Sequence, residues 1–520
     1  MPKVIKIYGP PGTGKTTTLI STLKSVLASG TPPIRVAYIT HTKAACEEVK
    51  QRVADQLGLP LRDMKWFRTI HSMCCGMAGI GFYDTMGYRD VATFSRDTGY
   101  YISGAMGATM MEEVRPSLDD GYDVVLVADQ LAKAQFKKIE DVISELPPSP
   151  KLVNPHDFLN VYQEWKTENG KKDFTDMLLE YYEGNYPAGD VDVVIVDEAQ
   201  DLSALQWRIV QKFSATAKEL HVAGDDDQSV YKFLGSDEFG FLDYPADEER
   251  VLTFSHRVPS DIGRFATKVI RKIDRRKDKE VEWQEFAGDI KRHQLDPDFL
   301  PWKKWAQGDC VDDSVMVLTR HRKQMYDLKK MLDKVNVPAM VNGSDIAIEP
   351  IAQSIKVYLE MKKMGARFRP TDVGKMLADM GLRDDAKRVR AIGAKNRASM
   401  IGLEDLSHLS IWTTDRWEPL FAKGRTAVQI QVEALRRRIN QDGLEVIGVK
   451  PTINLSTYHG SKGREAKHIV LFTDCYGATW EEQERNPDTE IRLAYVGLTR
   501  AQKTVTIVAP QTNMWMRALV

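Results

Sequence analysis

The stretch VIKIYGPPGTGKTTTLI, residues 4–20, decides the fold of the first half of the chain. A β-branched run is followed by a glycine-rich turn and a helix start, which predicts a strand, a loop and a helix in that order. Glycines let the backbone curl so that successive N–H groups and the helix N-terminus face a phosphate. The spacing G-x-x-x-x-G-K-[ST] directs Lys15 toward the β- and γ-phosphates of a nucleotide and the Thr16 hydroxyl toward Mg²⁺. The alternative is a chance glycine loop before an amphipathic helix.

Length and composition indicate a globular protein of several domains. The chain has 520 residues, of which 42% are hydrophobic and 28% charged, with a net charge of −1. This charge argues against non-specific adhesion to nucleic acid but permits a local basic track. No apolar run approaches the length of a membrane span, and the five cysteines lack metal-ligand spacing. We therefore expect reduced thiols, no membrane partner and a cytoplasmic location.

Short β-branched runs alternate with helical stretches, a pattern typical of parallel sheets. The first set is VIKIY, IRVAYIT, DVVIVDE, ELHVAGD and RVLTF, and the second is SVMVLTR, PAMV, TINLSTYHG, HIVLFTD and KTVTIVA. We therefore predict an α/β fold with two sheets.

Each predicted sheet is interrupted by an insertion. Lys15 and Asp197 are 197 − 15 = 182 positions apart, which is more than one or two βα units require. We expect a helical insertion at 81–162 in a first domain made of 1–80 and 163–255. A second, basic helical insertion is expected at 346–449, in a second domain made of 256–345 and 450–520.

The second chemical motif is VDVVIVDEAQDL, residues 191–202. A buried strand that ends in two carboxylates places Asp197 and Glu198 at the carboxyl edge of a parallel sheet, where ligands bind. We expect Asp197 to hold Mg²⁺ and Glu198 to orient or deprotonate the attacking water. The alternative is an acidic N-cap for the next helix.

The third motif is HVAGDDDQSVYKFLGSD, residues 221–237. Gln228 follows a strand and is placed to sense a phosphate or the attacking water. Tyr231 and Phe233 come next, and exposed aromatic rings after a catalytic edge suggest stacking on nucleic-acid bases. Core packing of a short helix is the alternative for both rings.

With STYHGSKGRE (456–465) and RLAYVGLTRA (492–501), these motifs resemble, in order and spacing, superfamily 1A DNA helicases of the UvrD/Rep/PcrA type. The resemblance implies two RecA-like parallel-sheet motor domains, each with a mainly helical inserted subdomain. It also implies that Arg257 and Arg500 are arginine fingers that neutralise charge in the transition state; a surface ion pair is the alternative for each. The nucleotide-binding residues expected on these grounds are Gly9, Gly12, Thr13, Gly14, Lys15, Thr16, Thr17, His256, Gly463 and Glu465.

The resemblance also implies a track for single-stranded DNA along the strand ends. Its expected members are Thr42, Lys43, Thr69, His71, Tyr231, Phe233, Thr457 and His459. Each threonine or histidine taken singly is more often a helix cap or a satisfied hydrogen-bonding group. The segment DFTDML (173–178) is similar to a further family segment. The basic runs RKIDRRKDK (271–279) and LRRRIN (435–440) are expected to be solvated helix faces.

Three positions depart from the family pattern. His256 stands where the family has a tyrosine that stacks on adenine, and Leu234 follows Phe233 where the family has arginine. Only MPKVIKIY precedes Gly9, so the adenine-reading glutamine of the family is not found upstream. We therefore expect weak discrimination between purine nucleotides.

The resemblance implies an ATP- and Mg²⁺-dependent helicase that moves 3′→5′ on single-stranded DNA and unwinds duplex DNA. We expect a monomer, with replication or repair proteins as candidate partners. The rival interpretation is an ATP-dependent translocase or protein remodeller that does not unwind. A plain nucleotide-binding kinase is disfavoured by Gln228 and the paired arginines.

Overall fold

The computed structural model describes residues 1–102, 121–146, 154–293, 302, 314–335, 337–343, 349–363, 365–395, 399–413, 418–421, 432, 435–437, 439–440, 443 and 451–519. By their internal contacts, the residues form two compact units. Unit one comprises Met1–Ile290, Cys475–Thr504 and Met514–Val520, and unit two comprises Lys291–Asp474 and Val505–Asn513. The domain boundaries expected from the sequence stay a prediction.

Unit one is built on a six-stranded sheet. Its strands are β1 (Lys3–Tyr8), β2 (Val36–Thr40), β3 (Trp66–Thr69), β4 (Val193–Val196), β5 (Glu219–Gly224) and β6 (Glu248–Val251). They lie in the order β3-β2-β4-β5-β1-β6, and every neighbouring pair is parallel. The carboxyl ends of β1, β4 and β5 therefore meet at one edge, in the middle of the sheet, where ligands of α/β proteins bind.

Helices cover both faces of this sheet. The helices described between residues 1 and 270 are α1 (Lys15–Ala28), α2 (Lys43–Leu57), α3 (Ile70–Ala78), α4 (Tyr88–Thr98), α5 (Gly121–Gln135), α6 (Ile139–Glu145), α7 (Pro155–Glu168), α8 (Phe174–Glu183), α9 (Ala204–Phe213), α10 (Gly240–Asp243) and α11 (Ser260–Ile270). Apolar side chains of α1 and α2 pack on one face, and those of α3, α8 and α9 pack on the other. Burial of these two clusters stabilises the sheet by removing apolar surface from water.

A separate apolar cluster joins α4, α5, α6 and α7, with Phe94 and Phe158 at its centre. Helices α4, α5 and α6 fall within residues 81–162, where the sequence predicts the first insertion, and α7 begins there but continues to Glu168. Part of that region, residues 103–120 and 147–153, lies outside the described residues.

Unit two carries most of the second sheet. Two further strands, β7 (Phe254–Pro259) and β8 (Glu282–Gln284), form a ribbon in unit one, and β9 (Asp289–His293) comes next. The strands that follow are β10 (Val315–Thr319), β11 (Ala339–Val341), β12 (Arg367–Phe368), β13 (Ile401–Gly402), β14 (Ile453–Thr457), β15 (Ala466–Phe472) and β16 (Ala501–Val508). The second sheet has the order β11-β14-β10-β15-β16-β9.

The remaining helices are α12 (Arg322–Lys334), α13 (Glu349–Met361), α14 (Pro370–Asp379), α15 (Arg383–Lys395), α16 (Glu418–Phe421), α17 (Ala478–Arg485) and α18 (Pro487–Leu498). An apolar cluster joins α13 to α16, whereas α17 and α18 belong to unit one. The prediction of an α/β protein with two large parallel sheets is confirmed. Among the described helices, none combines the length and apolar character needed to cross a bilayer.

Candidate functional site

The glycine-rich loop joins β1 to α1, as the sequence predicts. Gly12 and Gly14 have φ of 74° and 79°, the left-handed region that glycine adopts without strain. The Lys15 ammonium donates to the Gly9 carbonyl at 2.8 Å, and the Thr13 hydroxyl donates to the Pro10 carbonyl at the same distance. These two bonds close the loop, and Thr16 and Thr17 lie in the first turn of α1, which begins at Lys15.

Asp197 lies next to this loop, immediately after β4. The Thr16 hydroxyl donates to Asp197 Oδ2 at 2.9 Å, and the buried Tyr38 hydroxyl donates to the same oxygen at 3.2 Å. Burial, followed by the neighbouring charge of Glu198, raises the pKa of Asp197 to about 6. A hydroxyl and a carboxylate this close form the kind of oxygen pair that Mg²⁺ prefers, so these residues fit the ion.

Glu198 has the left-handed φ of 55°, which is unusual for a residue other than glycine. Its carboxylate accepts from Gln200 Nε2 at 2.6 Å, and Gln200 Oε1 accepts from the Asp225 backbone N–H at 3.0 Å. Glu198 holds the N-cap position of the one-turn helix Ala199–Asp201, but its side chain makes no cap hydrogen bond there, and Ser203 caps α9. Sequence reasoning missed Gln200, whose only signal is its place two residues after Glu198.

Gln228 and Arg500 are directly bonded. Arg500 Nη2 donates to Gln228 Oε1 at 2.8 Å, and Gln228 Nε2 donates to Asp225 Oδ2 at 2.8 Å. Arg500 also donates to the Val496 carbonyl, and its side chain is only 2% exposed. The alternative of a surface ion pair is therefore wrong for Arg500.

The segment that carries His256 and Arg257 lies against the phosphate loop. The Ser255 hydroxyl donates to the Pro11 carbonyl at 2.7 Å, and the His256 N–H donates to the Gly12 carbonyl at 2.9 Å. A Cβ atom on Gly12 would lie 2.5 Å from Arg257 Cβ. The His256 ring is exposed and packs edge-on against Phe254, with 4.8 Å between the ring centroids.

Two predicted DNA contacts, His71 and Tyr231, line a pocket in unit one together with His41. The rings of His41 and Tyr231 are stacked, with centroids 6.1 Å apart and an angle of 8° between their planes. His71 meets Phe174 edge-on at 5.5 Å, and its pKa is lowered to about 4 by burial and by the charge of His41. Phe233 lies beside Tyr231, at 6.2 Å.

Two of the three threonines predicted for this track, Thr42 and Thr69, are helix caps. Thr42 Oγ1 accepts from the Ala45 N–H at 3.2 Å, and Thr69 Oγ1 accepts from the Ser72 N–H at 3.4 Å. Lys43 is exposed at the start of α2. Contact of these residues with DNA stays a prediction.

Four predicted site residues belong to unit two. Thr457 ends β14 and accepts from the Gly460 N–H at 3.0 Å, and His459 is buried in the following short helix. Gly463 has a φ of 77°, and Glu465 is exposed. The roles assigned to these four residues also stay predictions.

The run RKIDRRKDK is not a solvated helix face, so this expectation is wrong. Helix α11 ends at Ile270, and the run follows it. Arg276 and Lys279 turn inward and form ion pairs with buried carboxylates of residues 225–227.

The segment DFTDML begins α8, and Asp173 caps that helix by accepting from the Thr175 and Asp176 N–H groups at 3.0 Å. The buried ammonium of Lys166, in α7, lies 2.7 Å from Asp173 Oδ2. This segment therefore ties α7 to α8.

Two models of helicase domains match this chain. Residues 2–248 match the UvrD/REP helicase N-terminal domain, and residues 427–512 match the UvrD-like helicase C-terminal domain. The chain belongs to the superfamily 1 helicases of the UvrD/Rep/PcrA type.

Individual relatives are similar over different shares of their length. The chain is 28% identical to the ATP-dependent DNA helicase PcrA of Bacillus subtilis, over 98% of this chain and 80% of that protein. It is 19% identical to the protein of Mycoplasma genitalium named "Probable DNA helicase II homolog", over 97% of this chain and 82% of that protein. It is 26% identical to the PcrA helicase of Staphylococcus aureus, over 68% of this chain and 51% of that protein.

Proposed function

We propose that this chain is an ATP-dependent DNA helicase that hydrolyses ATP with Mg²⁺ and separates duplex strands while moving 3′→5′ on one of them. One observation carries the proposal. Unit one brings the phosphate loop, the Thr16–Asp197 pair and the Gln228–Arg500 pair together, although they come from distant parts of the sequence. Membership of the helicase family supports the choice of reaction.

Each group has a role that its position supports. Lys15, Arg257 and Arg500 supply positive charge for the phosphates, and stabilisation of transition-state charge is the main source of catalysis in phosphoryl transfer. Glu198 orients the attacking water and accepts its proton. Mg²⁺, held by Thr16 and Asp197, would neutralise phosphate charge. Gln228 senses the γ-phosphate.

The pocket around His41 and Tyr231 is proposed to take a base of the single strand. Aromatic rings at its wall provide stacking surfaces, and stacking tolerates any base. His71 is uncharged at neutral pH because its pKa is about 4. Its contribution to binding is therefore steric or through hydrogen bonds, not through charge.

The first experiment is ATP hydrolysis by the full chain with and without single-stranded DNA. We expect stimulation by DNA, and we expect Lys15→Ala to lower kcat by at least about a hundredfold, through loss of charge stabilisation in the transition state. Lys24→Ala, an exposed lysine of the same helix, is the matched control and should hydrolyse normally. DNA-stimulated turnover at the wild-type rate in Lys15→Ala would contradict the assignment.

The second experiment is strand displacement on duplexes with a 3′ or a 5′ single-stranded tail. We expect displacement from the 3′ tail, on the strength of the resemblance through GDDDQSVY. Preference for the 5′ tail would overturn the proposed 3′→5′ direction of movement. DNA-stimulated hydrolysis without displacement would favour the rival interpretation, a translocase or protein remodeller that does not unwind. The cytoplasmic location and the monomeric state stay predictions.

A further inference from the structure

A buried cluster of charged side chains lies next to Gln228, outside the residues that the proposed function uses. Asp225, Asp226 and Asp227 follow β5 and are at most 4% exposed. Lys279 Nζ lies 2.7 Å from Asp225 Oδ1 and 2.9 Å from Asp227 Oδ2, and it also bonds to Asp226. Arg276 holds both oxygens of Asp227, at 2.8 and 2.7 Å.

Uncompensated, such a cluster would be unstable, because an unpaired buried carboxylate costs several kcal/mol. Burial alone would raise the pKa of Asp225, but the charges of Lys279 and Lys15 hold it below its ordinary value. Asp225 therefore stays ionised and keeps accepting hydrogen bonds on both oxygens.

Two side-chain bonds of the Asp225 carboxylate connect the cluster to the site, and Oδ1 also accepts from the Asp227 backbone N–H at 3.3 Å. Oδ1 accepts from Lys279, and Oδ2 accepts from Gln228 Nε2 at 2.8 Å. Because the amide nitrogen of Gln228 is engaged there, its oxygen points the other way and accepts from Arg500. A carboxylate that lost Lys279 could rotate or become protonated, and the amide would then lose its fixed orientation.

We propose that Lys279 is a positioning residue for ATP hydrolysis, which acts through Asp225 to fix the amide of Gln228 against Arg500. This inference rests on the proposed function. Arg276 pairs with the neighbouring carboxylate of Asp227, and the Lys279 ammonium lies among all three carboxylates of residues 225–227. The cluster thus lets the segment after α11 control the group that senses the γ-phosphate.

The test compares the full chain with Lys279→Met, Lys279→Arg and Lys277→Met. We expect Lys279→Met to lower DNA-stimulated kcat by about tenfold or more with KM within about threefold, because the amide acts mainly in the transition state. Lys279→Arg keeps the charge and should recover part of the loss. Lys277→Met is the matched control, since that side chain pairs with partly exposed Glu249, and it should be unaffected.

A mutant cycle with Gln228→Ala separates positioning from general damage. If Lys279 acts through Gln228, Lys279→Met should change kcat by less than about twofold in the Gln228→Ala background. An undiminished, multiplicative effect in that background would overturn the proposal, as would a normal kcat in the single variant.

Two further measurements keep the result decisive if Lys279→Met folds poorly or the wild type does not turn over. The double variant Lys279→Met with Asp226→Asn removes one positive and one negative charge, so the net charge of the cluster is unchanged. We expect its Tm to recover while its kcat stays low. Recovery of both Tm and kcat would show that Lys279 only stabilises the fold, and would overturn the proposal. The ratio of Kd values for ADP and a non-hydrolysable ATP analogue reports γ-phosphate sensing without turnover. We expect Lys279→Met to lower the Kd for ADP divided by the Kd for the ATP analogue, because less binding energy then comes from the γ-phosphate. If this ratio is unchanged, the proposal is overturned, even where wild-type turnover is normal.

Discussion

Gly12 is the residue at which the phosphate loop and the Arg257 segment come closest. Its φ of 74° and the 2.5 Å that would separate an added Cβ atom from Arg257 Cβ leave no room for alanine. We expect Gly12→Ala to displace Arg257 and to lower the kcat of ATP hydrolysis by about a hundredfold or more, through loss of a transition-state contact. Steady-state hydrolysis with DNA measures the effect.

Gly30→Ala is the control for Gly12→Ala. Gly30 has a φ of 95° but no atom within 4 Å of the added carbon, so only backbone strain of about 1 kcal/mol is expected, without loss of turnover. Equal losses of kcat in the two variants would show that backbone strain, and not the displacement of Arg257, lowers the rate of hydrolysis.

His71 should make the stability of unit one depend on pH. The unfolded chain takes up a proton on this ring below about pH 6.5, whereas the folded ring, with a pKa of about 4, does not. The free energy of unfolding should therefore fall as the pH drops from 6.5 to 4, by up to about 1.4 kcal/mol per pH unit from this group. Urea unfolding of wild type and His71→Asn across this range measures the difference; identical slopes would contradict it.

Residues that belong to sequence motifs were predictable from the sequence. Lys15, Thr16 and Asp197 follow strands at motif spacing, and the structure brings them together. Lys279 was not predictable, because no motif links it to its partner Asp225 and a basic run carries no sign of burial. Charge patterns report composition, whereas burial of a charge depends on tertiary packing.

At the scale of elements, β-branched runs predicted most strands of both sheets. The four-residue strand β3 was missed because Arg68 breaks its apolar pattern. The run RVLTF, expected as one strand, divides between β6 and β7, which lie in different sheets. Short strands and breaks of this kind depend on neighbouring backbone partners, which periodicity does not identify.

The contact between α7 and α8 depends on one buried cation. Lys166 pairs with Asp173 and Asp176 and is 1% exposed. Lys166→Met should lower the free energy of unfolding by about 3–5 kcal/mol, because it leaves two carboxylates without their partner. Lys172→Met removes a pair to Glu180 that is about a third exposed, and should cost less than about 1 kcal/mol. Urea midpoints followed by circular dichroism compare them; equal midpoints would contradict the prediction.

At the scale of the whole molecule, unit one depends on helix α18, whose residues from Glu490 to Leu498 are buried and which packs against α11. A chain that ends at Asp474 should expose the apolar face of α11, including Ile262 and Val269. We expect it to bind a hydrophobic dye and to lack hydrolysis. Arg500→Met keeps α18 and should lose hydrolysis without binding the dye. Absence of dye binding by the shortened chain would contradict this account.

The return of residues 475–504 and 514–520 to unit one also has a consequence for synthesis. A ribosome releases the phosphate loop early, yet Arg500 and the helix that covers α11 emerge several hundred residues later. Unit one therefore cannot complete its core before residues 475–520 have emerged, and until then a nascent chain exposes apolar surface. A truncated translation product is thus expected to be a substrate for chaperones and proteases, and not a partly active motor.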